Sequence, residues 1–511
     1  MKDPFMRLRN AMLISVLQQN ATLLLLFVTG VVIAHLLTPK EVGSYAVAIA
    51  AANIFIALKD TAVGSYVISA PELDVALLRA AYGLSLAITG CVSIGCIGLS
   101  FALAAFYQDP ILGQALRIVA FAQLGPAVAF PGTVRLTRAM RFGSLLTIGL
   151  GAAMVQSLTS IVIAARGHGA VGLAWGYFAW SIVTAMMTVA YEPDTVRLRP
   201  TLAGTRRLLA FGGWTSAMMV VSSTAMSAPE LMIGRVSGTA DVALFSRAQN
   251  LVSFIRNGLV FGIGRPLLPS LGQLEATGAS VAPMYQRFVE IITGLAWPAY
   301  AVMAVWAEPL VRTIYGEAWS TTGTMMPPIA IAHALTLTVA AHYDVLIVKR
   351  RERTLFACEF ASFIFTATAL AVGLTFGTKA AIWSLVASGA FSAVCYFGAV
   401  RSAIDIAPNK LLQAWSRSLG LALVVIPIPM SVRVLVADQP VAIMIGFVAS
   451  SAISALIWIA AAIIIRHELS FDIGAALERL SYALRLALVA RISSVTKDAD
   501  RGIPRSRARI I

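Results

Sequence analysis

Lysine and arginine alternate with greasy segments along this chain in a way that leaves it few folds to adopt. The chain reads as about fourteen apolar stretches of roughly twenty residues each, the length that crosses a bilayer as helix. Basic residues collect in every second gap. Roughly 29 of the 39 Lys and Arg fall on the side shared by both termini, about 6 on the other and about 4 inside the stretches themselves. A backbone in hydrocarbon must satisfy its own hydrogen bonds, which selects helices here. The expected fold class is an all-α polytopic membrane protein with both termini in the cytoplasm.

Composition agrees. The 511 residues are 59% hydrophobic and 12% charged, with a mean hydropathy of +0.82, more apolar surface than a soluble core could hide. The net charge of +15 follows from the positive-inside bias, and no basic soluble domain exists to hold nucleic acid. Cys91, Cys96, Cys358 and Cys395 all lie in apolar segments and read as buried small hydrophobes, so neither a disulfide framework nor a metal site is indicated. Lys2, Arg7 and Arg9 precede an apolar run that superficially suits a signal peptide. The run reaches about Leu37 without a small-residue cleavage site, so an uncleaved first span is expected.

The predicted spans are about 13–37, 42–66, 80–106, 111–134, 145–165, 170–190, 208–234, 241–264, 286–312, 322–347, 355–376, 380–400, 412–436 and 440–465. Outer gaps such as Thr38–Glu41 and Arg166–Gly169 are very short, and inner ones are richer in Arg, as at Arg135/Arg138/Arg141 and Lys349/Arg350/Arg351/Arg353. A shift of about 200 residues lays the second part of the chain over the first. Ile33 meets Ile233, Glu41 meets Asp241, Val42 meets Val242, Tyr45 meets Phe245, Ala48 meets Ala248 and Gly64 meets Gly264. The shift skips an even number of spans, so both halves enter the membrane the same way and the symmetry axis runs along the membrane normal. The expected division is an N-terminal lobe over 1–200 (spans one to six) and a C-terminal lobe over 201–405 (spans seven to twelve). Two extra spans over 406–466 and a basic tail over 467–511 complete it. Within that tail, Ile473, Leu477, Leu480, Leu484 and Leu488 recur at helical spacing among Arg479, Arg485 and Arg491, the pattern of an amphipathic helix on an anionic leaflet.

Ionisable groups inside hydrocarbon are costly and face protein or a wet cavity, so the few present are the functional candidates. Arg117, Arg247 and Arg256, with Lys59, are the cationic ones. A guanidinium there suits a phosphate, to which it donates two parallel charge-assisted bonds. Arg247 and Arg256 stand nine residues apart, about 180° around a helix, so both should not face one cavity. Arg256 is expected to face it, with Arg247 paired near the outer surface. Asn250, Asn257 and Gln19 are polar groups for sugar hydroxyls or, equally, helix–helix contacts. Asp60, Asp344 and Glu290 are the candidates for coupling a cation or proton, with Lys349 near enough to pair with Asp344. Glu230 and Arg235 read as a pair. Pro126, Pro131, Pro298, Pro427 and Pro429 should bend their spans, with neighbouring groups repairing the lost backbone bonds.

The run Ile33-Ala-His-Leu-Leu-Thr-Pro-Lys-Glu-Val-Gly-Ser-Tyr-Ala46 resembles the first-loop pattern of bacterial polysaccharide flippases. Lys59-Asp-Thr-Ala-Val-Gly64 resembles the end of their second span, and Leu231-Met-Ile-Gly-Arg-Val-Ser-Gly238 with Phe245-Ser-Arg-Ala248 their seventh-to-eighth connection. Pro266-Leu-Leu-Pro-Ser270 resembles the end of their eighth span, while Ala228-Pro-Glu230 departs from the Asn/Asp-containing stretch that relatives carry in the seventh. The family is the polysaccharide transporter branch of the multidrug/oligosaccharidyl-lipid/polysaccharide exporter superfamily. The resemblance implies two six-helix lobes around a central cavity in the bacterial inner membrane, working without a cofactor. It implies movement of an undecaprenyl-diphosphate-linked oligosaccharide between leaflets by alternating access. Membrane lipids, and a polysaccharide polymerase with its export machinery, would be the partners.

A cation-coupled exporter of soluble solutes shares this architecture, but its cavity would favour acidic and aromatic residues over Arg. An enzyme such as a glycosyltransferase needs a large extramembrane loop or a metal-binding carboxylate cluster, and the loops between spans supply neither.

Overall fold

The computed structural model describes residues 21–59, 63–70, 74–264, 267–465 and 467–469, and these are helices joined by short connections. In chain order they are α1 (Ala21–Leu36), α2 (Pro39–Lys59), α3 (Val63–Ser69), α4 (Val75–Tyr107), α5 (Pro110–Ala122), α6 (Leu124–Arg138), α7 (Phe142–Ile163), α8 (Gly169–Tyr191), α9 (Thr205–Val236) and α10 (Thr239–Gly264). Then follow α11 (Leu267–Ala276), α12 (Ala282–Tyr315), α13 (Ser320–Thr336), α14 (His342–Val348), α15 (Glu352–Thr375), α16 (Thr378–Ala403), α17 (Pro408–Val425), α18 (Pro427–Leu435) and α19 (Pro440–Ile464). Among the described residues, ten helical stretches are long and apolar enough to cross a membrane. The chain is an all-α, multi-pass membrane protein. Gln19, Asp60 and the amphipathic pattern after Asp472 lie outside the described residues.

One of those ten stretches, Phe142–Tyr191, is a hairpin. Gly167 takes φ +84° and Gly169 φ +52°, left-handed values that glycine adopts without a Cβ clash. The chain then doubles back, with Gly172 against Ala164, Gly176 against Ser160 and Gly151 against Met187. The same device recurs at Gly377, φ +100°, where Gly373 of α15 meets Ala381 of α16 backbone to backbone.

The Thr-Pro-Lys-Glu run of the sequence is the start of α2. The Thr38 N–H and hydroxyl donate to Glu41 Oε2 at 2.9 and 2.8 Å, and the Glu41 N–H reaches Thr38 Oγ1 at 3.4 Å. This is a reciprocal capping box, with Pro39 at the first helical position where its missing N–H costs nothing. Gly43, two residues on, has a structural reason as well: a Cβ there would lie 1.7 Å from the Thr239 carbonyl oxygen. The two halves of the chain therefore touch backbone to backbone where α2 and α10 begin.

Other cross-contacts sit at the same end. Tyr107 donates to the Leu231 carbonyl at 2.7 Å, Trp319 Nε1 to the Ala34 carbonyl at 3.0 Å, and His35 Nε2 to the Ile314 carbonyl at 3.0 Å. These contacts seal the face bearing the short loops.

Several positions related by the 200-residue shift are alike in burial, though Tyr45 is half-buried where Phe245 is buried. Ile33 and Ile233, Val42 and Val242, and Ala48 and Ala248 are all buried. Glu41 sits beside Gly169 at the α7–α8 corner, and Asp241 accepts from Thr378 at the α15–α16 corner at 2.6 Å.

Three predicted spans are broken, and a fourth stays helical through an internal proline. The α5–α6 break falls at Gln123, where Pro126 cannot donate to the Ala122 carbonyl; Ser181 Oγ donates to it instead. In α12, Pro298 frees the Gly294 carbonyl, which accepts from Trp458 Nε1 at 2.9 Å. Span ten breaks at Ala341, φ +63°, and span thirteen at Ile426, ahead of Pro427. Cys96 is buried as expected, but Cys91 on α4 is exposed, because five residues of helix turn it to a different face.

Candidate functional site

A cavity of about 990 Å³ opens between α1, α10, α12 and α19. Its wall is mostly Leu, Ile, Val, Met and Phe, with polar groups at few places: Arg247, Asn250, Ser253 and Asn257 on α10, and Ser451 and Ser454 on α19. Positions 247, 250 and 257 share one helical face, which is why three of the sequence candidates come together.

Arg247 is the chemical centre of this cavity. Its guanidinium carbon stands 5.4 Å from the ring centroids of both Tyr315 and Trp319. A Cβ on Gly30 of α1 would fall 2.4 Å from its Nη1, so α1 passes the guanidinium at a residue with no side chain. Among the described residues no carboxylate lies within salt-bridge distance of Arg247. Aromatic faces hold the cation by their quadrupoles, and its fork of donors stays available to an anion. The aromatic box is itself fixed: Trp319 bonds to α1, and Tyr315 meets Phe27 of α1 edge to face at 6.4 Å.

Arg256 lies on the opposite face of α10, as the nine-residue spacing requires. It is not part of the cavity wall, and its charge bears instead on Tyr300 and His333. Arg247 rather than Arg256 thus lines this cavity, because hydropathy fixes which residues are in a span but not how the span is rotated. Arg117 stacks on Phe101 of α4 at 5.1 Å, away from this cavity. Lys59 donates to Gln123 Oε1 at 3.1 Å, and Gln123 Nε2 donates on to the Tyr177 hydroxyl at 3.4 Å. That chain links α2 and α8 through the helix break.

The acidic candidates are dispersed. Glu290, 2% exposed, accepts from Arg417 of α17 at 3.4 Å and from the Glu468 N–H at 3.3 Å, with His467 Nε2 at 3.9 Å. Leu469 N–H donates to His467 Nδ1 at 3.3 Å, which leaves the ring proton on Nε2 toward Ser418 and Glu290. His467 lies beyond α19, and burial first, then the Arg417 charge, pulls its pKa down to about 4, with Glu468 opposing. Asp344 sits on α14, but Lys349 pairs with Glu275 at 2.6 Å rather than with it. Glu230 faces Ser246, while Arg235 stacks on Phe106 at 4.6 Å, so those two do not pair either: Arg235, one turn beyond Glu230, finds an aromatic face from α4.

Tyr315, Trp319, Ser451, Ser454 and Trp458 carry no sequence signal. Ser451, Ser454 and Trp458 read as one more apolar or small residue in a span, Tyr315 and Trp319 as residues of the gap between spans nine and ten, and only the tertiary fold gathers them. Among the described residues, no group of three or more His, Cys, Asp or Glu is arranged to hold a metal ion.

Known proteins resemble this architecture. The family model described as polysaccharide biosynthesis protein matches residues 32–323, more than half of the chain. The succinoglycan biosynthesis transport protein ExoT of Rhizobium meliloti (strain 1021) is 23% identical over 313 residues; the match covers 60% of this chain and 62% of that protein. Among solved structures, the lipid II flippase MurJ in an inward closed conformation superposes with a TM-score of 0.68 at 13% identity, covering 90% of this chain and 99% of that one. This last likeness is one of fold. The chain belongs to the polysaccharide biosynthesis protein family.

Proposed function

We propose that this protein is a flippase that carries an undecaprenyl-diphosphate-linked oligosaccharide from the inner to the outer leaflet of the bacterial inner membrane for polysaccharide assembly. One observation carries the reading: a guanidinium with no carboxylate partner among the described residues rests against the rings of Tyr315 and Trp319 at the edge of an apolar cavity within the membrane. A soluble cation would be repelled there. A purely hydrocarbon ligand would leave the charge unused. A lipid with an anionic head satisfies both the charge and the wall, its phosphate oxygens accepting from Arg247 and its tail lying along the apolar face. Asn250 and Asn257 offer bonds to the polar part of the same molecule.

Transport by rocking lobes goes with this. The like burial of several positions related by the 200-residue shift, and the matched corners at Glu41 and Asp241, support lobes over 1–200 and 201–405. On this reading there are fourteen crossings in all, with 406–466 as two added helices and 467–511 as a cytoplasmic tail. The positive-inside bias supports cytoplasmic termini. The contacts at Gly43, Tyr107 and Trp319 then close the outer face, and opening them releases the cargo outward to a polymerase and export machinery. The names of the relatives, one a transport protein of succinoglycan biosynthesis and one a lipid II flippase, favour the same substrate class.

The test is a binding comparison by native mass spectrometry between undecaprenyl diphosphate and undecaprenyl alcohol. The proposal expects the diphosphate to be retained and the alcohol lost; equal retention of both would remove the role given to Arg247.

A further inference from the structure

Just past α19 the chain folds back onto α12 and α17. The His467 N–H donates to the Ala462 carbonyl at 3.0 Å and closes the end of α19. Residues 467–469 then lie against the two neighbouring helices, with His467 and Leu469 both buried. Polar contacts fix the segment on each side. The Glu468 N–H donates to Glu290 of α12 at 3.3 Å, and the Glu468 carboxylate meets Arg287 of the same helix at 3.5 Å. His467 Nε2 donates to Ser418 Oγ of α17 at 3.3 Å, and that hydroxyl lies 2.9 Å from Thr293 Oγ1 of α12. A segment that follows a helix frays unless it is tied down, and this one is tied at every residue.

The segment presses on Gly294. A Cβ there would fall 2.5 Å from His467 Cε1 and 2.6 Å from Nε2, with Leu469 Cδ1 at 3.2 Å. The imidazole therefore occupies the place a side chain of α12 would take. The carbonyl of the same residue is the one freed by Pro298, and it accepts from Trp458 Nε1 of α19 at 2.9 Å. Trp458, Leu295 and Pro298 all line the cavity. The segment, the proline in α12 and the cavity wall thus meet at one glycine. A helix is weakest where proline has removed its backbone bond, and a close-packed interior passes a displacement on rather than absorbing it.

We propose that residues 467–469 are a strap that sets the bend of α12 and, through Gly294, the Trp458 side of the cavity. With the His467 ring seated the wall is closed; with the ring withdrawn α12 moves at Pro298 and the cavity opens beside α19. His467 is a positioning residue in this device and touches no cargo. The strap stands whether or not the cargo is a lipid-linked glycan.

The experiment follows N-ethylmaleimide labelling of Ser454→Cys in the full-length protein, with Cys91, Cys96, Cys358 and Cys395 replaced by alanine. Ser454 is on the cavity wall one turn before Trp458 and is 4% exposed. Ala174→Cys on α8, fully buried in the first half of the chain, is the control for general loosening. His467→Asn withdraws the ring from its notch and keeps a hydrogen-bonding group for Ser418. Gly294→Ala fills the notch with a methyl and drives the ring out. Each alone should speed labelling at 454 about tenfold, as the lost contacts of a small buried side chain imply, and leave 174 slow. Together they exchange methyl for ring, so the rate at 454 should return toward the wild-type value. Unchanged labelling at 454 in both single variants, equal acceleration at 454 and 174, or a double variant as fast as the singles overturns the strap. Should Gly294→Ala not fold, His467→Asn alone decides it: acceleration at 454 without acceleration at 174 supports the strap, and either other result removes it.

Discussion

Replacing Arg247 by glutamine should abolish the preference for a diphosphate-bearing lipid while leaving the protein folded. The guanidinium offers a phosphate two parallel bonds, and a hydrogen bond to a charged group contributes about 1.5–3 kcal/mol. Glutamine keeps a donor but not the charge or the fork, so the loss is on the order of 3 kcal/mol, roughly 100-fold in affinity. Tyr315 and Trp319 also lose their cation–π partner, at about 0.5–2 kcal/mol each, which lowers Tm modestly. Lysine at the position keeps a point charge without the planar fork and should fall between, about tenfold weaker than arginine. The assay is titration of undecaprenyl diphosphate and undecaprenyl alcohol into each variant, read as the ratio of the two affinities. In the wild type the ratio is large; in Arg247→Gln it should approach one. A glutamine variant that folds and keeps the wild-type ratio refutes the argument, because no other described residue on that wall carries a charge.

Four further outcomes are expected. Gly43→Val must push α2 away from the Thr239 backbone, where even a Cβ would stand 1.7 Å from the carbonyl oxygen. The overpacking should cost about 1–3 kcal/mol and raise outer-face labelling of a cysteine placed at Thr239; unchanged labelling would disprove the seal. Thr38→Ala removes the α2 cap and should lower stability by about 1 kcal/mol in chemical denaturation. Trp458→Phe orphans the Gly294 carbonyl freed by Pro298 and should cost about 1–3 kcal/mol by the same measurement. His467, held neutral in the fold with a pKa pulled to about 4, gives stability that is full above its unfolded value of about 6.5. That stability is lost as pH falls toward 4, with a limiting slope of about 1.4 kcal/mol per pH unit. His467→Gln should flatten that dependence, and a slope equal to wild type would show that other groups carry it.

The helical membrane class was legible because hydropathy and charge bias are one-dimensional signals: each apolar stretch reports its own burial and each gap its own side. The Thr38–Glu41 capping box was legible for the same reason, since its partners stand three residues apart. The opposition of Arg247 and Arg256 followed from helical period alone. Which of the two meets the cavity did not, because rotation of α10 is set by distant residues, Gly30, Tyr315 and Trp319 on one side and His333 on the other. Expected ion pairs failed by the same logic. Glu230 with Arg235, and Asp344 with Lys349, are neighbours in sequence, yet Phe106 and Glu275 offered better-placed partners through the fold. Gln123 was invisible in advance, as a lone glutamine in an apolar span gives no hint that it marks a helix break and receives Lys59.

The most direct measurement is leaflet exchange in proteoliposomes. A diphosphate-linked oligosaccharide extracted from polysaccharide-producing cells is labelled on its sugar, and its accessibility to an external glycosidase is followed with time. Wild-type protein should expose inner-leaflet lipid at a rate well above protein-free vesicles, with Arg247→Gln near the protein-free rate. A wild-type rate no greater than that of protein-free vesicles, alongside cation-driven efflux of a soluble drug from the same vesicles, would contradict the flippase assignment.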